Sequence, residues 1–188
     1  MTKEDKFILN LISFALNVNG KDGFLWADRY THLDKTKVVY AAQKHMAISY
    51  FSLLKDERFA FITENELVRN SSDRFLSRCL LQDYQWEAIK ETFEKNGIKC
   101  IPLKGIDIRK YYPDIRFRPM HDIDLLYKEE QNSQMANALE AVGFNCKIKS
   151  QKHDHFIDGT GVHIEMHREM VPAADEYVEY YSNIWDKA

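Results

Sequence analysis

The sequence is poor in the residues that build disulfide frameworks and cysteine metal sites. It has three cysteines among 188 residues, an odd number, and no two of them form a CxxC pair. This pattern argues against a disulfide-stabilised secreted domain and against a cysteine-based zinc site. It is typical of buried thiols in a reducing compartment, and we therefore interpret the chain as cytoplasmic.

Long apolar runs and a charge excess are also absent. The apolar stretch at residues 7–16 contains Asn10 and Ser13 and is far shorter than a membrane span, so we expect no membrane partner. Acidic residues precede this stretch, which is not typical of a signal peptide. The formal net charge of -3 does not favour non-specific binding of nucleic acid by a uniformly basic surface. A hydrophobic content of 45% is ample for a buried core.

Hydrophobic periodicity predicts a helical front followed by a mixed sheet. In the first half, apolar residues recur at helical spacing. We predict helices at Phe7–Val18, from the N-cap Asp34 to Leu54, and from about residue 65 to a stop at Gly97. Beyond Gly97, short apolar runs alternate with helical segments and turns. The predicted strands are 98–103, 122–127, 144–149, 153–157 and 162–167, with the last two forming a hairpin.

This order predicts an α+β protein with a mixed β-sheet, flanking helices and a preceding helical subdomain. We place the helical subdomain at residues 1–96 and the sheet core at residues 97–171. Residues 172–188 are predicted to form a C-terminal helix.

Three carboxylates share strand faces in this pattern. Side chains at i and i+2 of a strand point to the same face, so Asp122 and Asp124 project together. Two neighbouring carboxylates repel each other unless a positive group lies between them, and oxygen-rich sites suit Mg²⁺ or Mn²⁺. Glu165 lies on a later strand and is a candidate third acid, which would complete a two-metal site for phosphate chemistry.

Three further residues have properties suited to phosphate. Lys104 and Gly105 lie where a strand turns into a helix, and glycine there lets phosphate approach the free backbone N–H groups. Arg118 precedes the Asp pair and offers a fork of donors. Each feature alone is common in proteins without this chemistry, and the ordered set is what favours a nucleotide site.

Histidines suggest a competing site. Five of the seven histidines lie between His121 and His167. Those on the hairpin, together with Glu165, would suit Zn²⁺ or Fe²⁺ in a metal-dependent hydrolase or oxygenase. The alternative is that His153 and His163 are exposed, while His155 and His167 line the acidic cleft as hydrogen-bonding neighbours. We favour this alternative, because the zinc or iron site leaves Asp122, Asp124 and Arg118 unexplained.

The ordered motifs resemble a known family. The run Leu103-Lys104-Gly105, then Tyr111-Tyr112-Pro113, then Arg118-Pro119-Met120-His121-Asp122-Ile123-Asp124 is similar to the uncharacterised bacterial nucleotidyltransferases of the polymerase-β-like superfamily. Ala141-Val142-Gly143-Phe144 and Val162-His163-Ile164-Glu165-Met166-His167 resemble the same family. The resemblance covers roughly residues 97–170, and the helical front is only loosely similar. A more distant likeness is to the nucleotidyltransferase toxins of toxin–antitoxin systems.

The resemblance implies a reaction and a set of roles. It implies the superfamily fold and Mg²⁺-dependent or Mn²⁺-dependent transfer of a nucleoside monophosphate from an NTP, with release of pyrophosphate. It implies metal ligation by Asp122 and Asp124 with Glu165 as third acid, and phosphate contact at Lys104 and Gly105. Family members commonly continue into further helices, which implies a shortened tail at residues 172–188.

The acceptor of such a transfer is open. RNA, a protein hydroxyl and a small molecule are all compatible with the sequence, and no base-reading motif stands out. A second reading is a catalytically silent nucleotide-binding or interaction module, because a fold can persist after activity is lost. Retention of both Asp residues and Glu165 favours the enzyme.

Overall fold

The computed structural model describes residues 1–16, 29–30, 32–54, 57–171 and 176–187. The chain forms two compact units. The helical unit comprises residues 1–79 and 109–119, and the sheet unit comprises residues 80–108 and 120–188. The division falls inside one long helix, between Cys79 and Leu80. The domain boundary predicted at residues 96 and 97 stays a prediction.

The helical unit is built from helices with one buried apolar face each. Its α-helices are α1 (Lys3–Leu16), α2 (Lys35–Lys44), α3 (Ala60–Thr63) and the first part of α4 (Glu66–Lys95), and its 3₁₀ helices are Ile48–Leu53, Glu57–Phe59 and Ile115–Phe117. Phe7 and Leu11 recur four residues apart on α1 and are fully buried in the core of this unit. Val18, where the predicted first helix ends, lies outside the described residues.

The predicted second helix is shorter than the pattern indicated. Asp34 is its N-cap as predicted, accepting a hydrogen bond from the Lys37 amide at 3.1 Å. The helix ends at Lys44, however, and a 3₁₀ helix follows at Ile48–Leu53. Met46 adopts a left-handed backbone with φ of 53°, and the Ala47 amide bonds back to the Ala42 carbonyl at 2.7 Å. The predicted continuation to Leu54 was wrong because this turn uses a methionine where glycine is usual.

Helix α4 ends as the sequence predicts. Gly97 has φ of 65°, and the Ile98 amide returns to the Phe93 carbonyl at 2.9 Å. This arrangement caps the last free carbonyl groups of the helix. Ile98 is buried and the chain then enters the first strand.

The sheet unit contains one five-stranded mixed sheet in the order β1-β2-β5-β4-β3. Strands β2 and β5 are parallel and the other neighbours are antiparallel. Its strands are β1 (Cys100–Leu103), β2 (Asp122–Tyr127), β3 (Asn145–Lys149), β4 (His153–Ile157) and β5 (His163–His167). The helices of this unit are the second part of α4, α5 (Gly105–Arg109) except for its last residue, α6 (Asn132–Ala141), α7 (Val178–Tyr181) and α8 (Ile184–Lys187), with a 3₁₀ turn at Glu129–Gln131. The predicted α+β class and mixed sheet are confirmed.

One face of this sheet packs into an apolar core. Alternate residues of the central strands are buried there, and Ile89 and Phe93 of α4 belong to the same cluster. The central-strand members are Ile123, Leu125, Tyr127, Phe156, Ile164 and Met166. Asp154 occupies an equivalent position on β4 and is buried, but Arg168 Nη2 donates to its carboxylate at 2.7 Å. Period-two alternation therefore leaves the other face free for polar side chains.

The C-terminal region is helical only in two short pieces, α7 and α8, among the described residues. Residues 172–175 of the predicted C-terminal helix lie outside the described part of the chain. Within that described part, none of the helices combines the length and the apolar character that crossing a membrane requires.

Candidate functional site

The polar face of the sheet holds the predicted acids. In the parallel register of β2 and β5, Asp122 lies opposite His163 and Asp124 lies opposite Glu165. In the antiparallel register of β4 and β5, His155 pairs with Glu165. Residues that pair across a ladder share a face, so these side chains project together. We use the name polar face for the set of side chains Asp122, Asp124, His153, His155, His163, Glu165 and His167.

Asp124 is the most enclosed acid of this face. Its side chain is buried, and its carboxylate accepts from His167 Nε2 at 3.0 Å and from Lys104 Nζ at 3.3 Å. The hydrogen bond from His167 and the charge of Lys104 hold the pKa of the Asp124 carboxyl below its usual range, against the opposing effect of burial. Asp124 is therefore ionised at neutral pH.

Glu165 is surrounded by imidazole rings. Its Oε1 lies 3.3 Å from His155 Nδ1, and its Oε2 lies 3.5 Å from His167 Nε2 and 3.8 Å from His153 Nε2. The Glu165 side chain is 20% exposed, so the carboxylate is accessible from solvent but partly enclosed. Glu165 lies directly across the ladder from Asp124, and His167 contacts both acids.

Two groups of ligand atoms on this face are close enough to hold a metal ion. One contains Asp124, Glu165 and His167, and the other contains His153, His155 and Glu165. In each group, the candidate ligand atoms lie within 4.8 Å of one another. Asp122 is half-buried on the same face, but neither group includes it among the residues that the structure describes. Its metal-binding role stays a prediction.

Lys104 and Gly105 form the turn from β1 into α5. Lys104 has φ of 49°, a left-handed conformation that non-glycine residues rarely adopt. Its carbonyl accepts from the Asp107 and Ile108 amides, which starts the helix, while its ammonium reaches back to Asp124. A Cβ at position 105 would overlap Met120 Sδ, so close packing by itself favours glycine there, and a larger residue would require the Met120 side chain to move. Phosphate contact at this turn stays a prediction.

Arg118 belongs to the helical unit, as the C-cap of the 3₁₀ helix Ile115–Phe117. Its Nη1 donates to the Pro119 carbonyl at 3.0 Å. The acids of the polar face belong to the sheet unit. The predicted role of Arg118 in triphosphate binding is therefore untested.

The histidines are more closely involved than the sequence indicates. His155 and His167 contact the acids, and His163 is exposed, as predicted. His153 was expected to be exposed, but its side chain is only 28% exposed and its ring lies 4.6 Å from that of His155 and 5.0 Å from that of His167. The i, i+2 spacing of His153 and His155 was the available signal, but the contact with His167 depends on the strand register.

Comparison with known families identifies the family of this chain. The family model described as uncharacterised nucleotidyltransferase matches residues 34–188. The chain belongs to this family. The match begins well before the segment at 97–170 that carries the motif resemblance, so most of the helical front is part of the family pattern. No curated protein and no solved structure matches the chain.

Proposed function

We propose that the protein transfers a nucleoside monophosphate from an NTP to an acceptor, with release of pyrophosphate. The observation that best supports this function is the pairing of Asp124 with Glu165 across two parallel strands, with Lys104 3.3 Å from Asp124. Membership of the nucleotidyltransferase family supports the same reaction class.

The donor set fits a divalent cation. Asp122, Asp124 and Glu165 supply carboxylate oxygens on one sheet face, and the lowered pKa keeps Asp124 ionised. Oxygen ligands of this kind suit Mg²⁺ or Mn²⁺. When bound, such an ion neutralises triphosphate oxygens and favours in-line attack at the α-phosphate. Asp122 and Asp124 are the proposed ligands, and Glu165 either completes the site or orients and deprotonates the acceptor.

Lys104, Gly105 and Arg118 are proposed to hold the triphosphate. The Lys104 side chain is 66% exposed, so its ammonium can reach a ligand without first being uncovered. Gly105 begins α5, and backbone N–H groups at a helix start favour an anion. Arg118 would add a bidentate guanidinium contact.

The acceptor class is best found by label transfer. Purified protein is incubated with each α-labelled NTP, Mg²⁺ or Mn²⁺, and a lysate separated into RNA, protein and small-molecule fractions. Label in one fraction identifies the acceptor as RNA, protein or small molecule. Removal of a group that only orients a metal ligand already lowers metal affinity or activity about 10–100-fold. Asp122→Asn and Asp124→Asn change proposed ligands themselves, so each should reduce transfer at least about 100-fold.

Glu140→Gln is the matched control, since Glu140 is an exposed acid at the end of α6 and away from the polar face of the sheet. Full transfer by either aspartate variant would contradict the site assignment. Nucleotide-dependent thermal stabilisation without transfer, retained in Asp122→Asn, would instead indicate a catalytically silent binding module.

A further inference from the structure

We propose that His153, His155 and Glu165 form a second metal site on the polar face, selective for a borderline transition-metal ion of the Zn²⁺ class over Mg²⁺. This nitrogen-rich site adjoins the proposed carboxylate site and shares Glu165 with it. It does not depend on nucleotide transfer.

Strand register creates the arrangement. His153 and His155 are two residues apart on β4, so both rings lie on the same face. His155 pairs directly with Glu165 on β5, and His153 pairs with His167. The sheet backbone, rather than a flexible loop, therefore holds these ligands at fixed spacing, which reduces the ordering needed to bind an ion.

The candidate ligand atoms of the three residues lie within 4.8 Å of one another, and two of their separations are close to those between ligands that share one ion. Zinc lies about 2.0–2.1 Å from its nitrogen and oxygen ligands, so the ligand atoms of a tetrahedral site are about 3.4 Å apart. Glu165 Oε1 lies 3.3 Å from His155 Nδ1, and Glu165 Oε2 lies 3.8 Å from His153 Nε2. Small rotations of the side chains would bring all three into one coordination sphere.

The ligand types select the ion. Imidazole nitrogen binds Zn²⁺ and other late first-row ions well, whereas Mg²⁺ prefers an octahedral shell of oxygen atoms and water. Two imidazoles and one carboxylate leave a fourth position open, as in catalytic zinc sites. The partial exposure of His153, His155 and Glu165, at 28%, 29% and 20% of their side chains, provides access from solvent.

The test uses the untagged full chain, freed of metal with a chelator. Co²⁺ is titrated in, because its visible absorption reports coordination number, and it is then displaced with Zn²⁺. We expect one tetrahedral Co²⁺ per chain, displacement by an equivalent of Zn²⁺, and no displacement by millimolar Mg²⁺. His153→Ala and His155→Ala should each weaken Zn²⁺ binding by at least about 10-fold.

Two controls separate this site from its neighbours. His163→Ala changes an exposed histidine on the same strand as Glu165 and should leave Zn²⁺ affinity unchanged. Asp122→Asn should also leave it unchanged, because Asp122 belongs only to the proposed carboxylate site. His155→Cys keeps a ligand at position 155 and should restore Co²⁺ binding with a sulfur-to-cobalt charge-transfer band, which excludes misfolding as the cause of the alanine effect.

The proposal would be overturned if both His153→Ala and His155→Ala bound Zn²⁺ as tightly as the wild type. Displacement of Co²⁺ by Mg²⁺ would also overturn it, and so would loss of Zn²⁺ binding in Asp122→Asn. Failure of label transfer with this Zn²⁺ binding intact would count against the proposed function alone.

Discussion

At the scale of single residues, the two aspartates of β2 differ in what surrounds them. Asp124 is buried and accepts from His167 and Lys104. Asp122 is half-buried beside the exposed His163 in the ladder. Two aspartates that look equivalent in the sequence therefore differ in how much they contribute to the stability of the fold. The sequence shows that they share a face but not which one is partnered.

Asp124→Asn should destabilise the metal-free protein, whereas Asp122→Asn should not. The first substitution removes a carboxylate that accepts hydrogen bonds from His167 and Lys104, and hydrogen bonds to charged groups contribute about 1.5–3 kcal/mol. The second should change the free energy of unfolding by less than about 0.5 kcal/mol. Urea unfolding at pH 7 in the presence of a chelator measures both, and equal effects of the two variants would contradict this difference.

Tyr50 should produce a distinctive loss of stability at alkaline pH. Its hydroxyl donates to the Phe117 carbonyl at 2.8 Å, and burial raises its pKa to about 12. Above about pH 10 the unfolded tyrosine loses its proton while the folded one keeps it. The free energy of unfolding should therefore fall between about pH 10 and 12, by at most about 1.4 kcal/mol per pH unit.

Tyr50→Phe is the variant that checks this effect. It should be less stable than wild type at pH 8, because it lacks a hydrogen bond worth about 1 kcal/mol, but it should lose less stability as the pH rises. Denaturant unfolding at pH 8 and pH 11 compares the two proteins. Parallel losses in both would assign the alkaline effect to other groups.

At the scale of elements, the sequence predicted the order of strands and helices better than their ends. Alternating apolar residues predicted β2, β4 and β5 closely, because one face of each strand is buried. Helix α2 ends early because Met46 takes a left-handed conformation without a glycine or proline to announce it. The grouping of His153 with His167 needed the register of the predicted β4–β5 hairpin, which local pattern does not determine.

Gly97 and Gly159 form a matched pair for testing the end of α4. Neither has an atom within 4 Å of where a Cβ would lie, but only Gly97 has a positive φ, of 65°. Gly97→Ala should therefore lower the free energy of unfolding by about 1 kcal/mol. Gly159→Ala should be neutral or slightly stabilising, because it only restricts the unfolded chain. Equal thermal shifts in the two variants would show that backbone strain at Gly97 is not the cause.

At the scale of the whole molecule, the family match and the sheet unit both begin before residues 97–170, the segment that contains the motifs. The family match covers residues 34–188, and the sheet unit takes in the second part of α4 from Leu80. The predicted boundary fell at residue 97 because the helical pattern stops at Gly97 and short strand-like apolar runs begin after it. The core of the sheet unit also includes Ile89 and Phe93, and their helical periodicity does not reveal which core they enter.

A fragment of residues 97–188 should fold less stably than one of residues 80–188. The shorter fragment lacks Ile89 and Phe93, which are 0% and 1% exposed in the sheet unit. Burying one such side chain contributes about 1.5–3 kcal/mol. Comparison of their cooperative urea unfolding measures the difference. Equal stability of the two fragments would support a self-sufficient core beginning at residue 97.

The central claim is nucleotidyl transfer, and the fate of the two ends of the triphosphate tests it most directly. The protein is incubated with Mg²⁺ or Mn²⁺, the acceptor fraction and the same NTP labelled at either the α-phosphate or the γ-phosphate. The account predicts α-label in the acceptor and γ-label in pyrophosphate, with both lost in Asp124→Asn. Release of the γ-label as inorganic phosphate, without α-label in any acceptor, would contradict it and indicate hydrolysis instead.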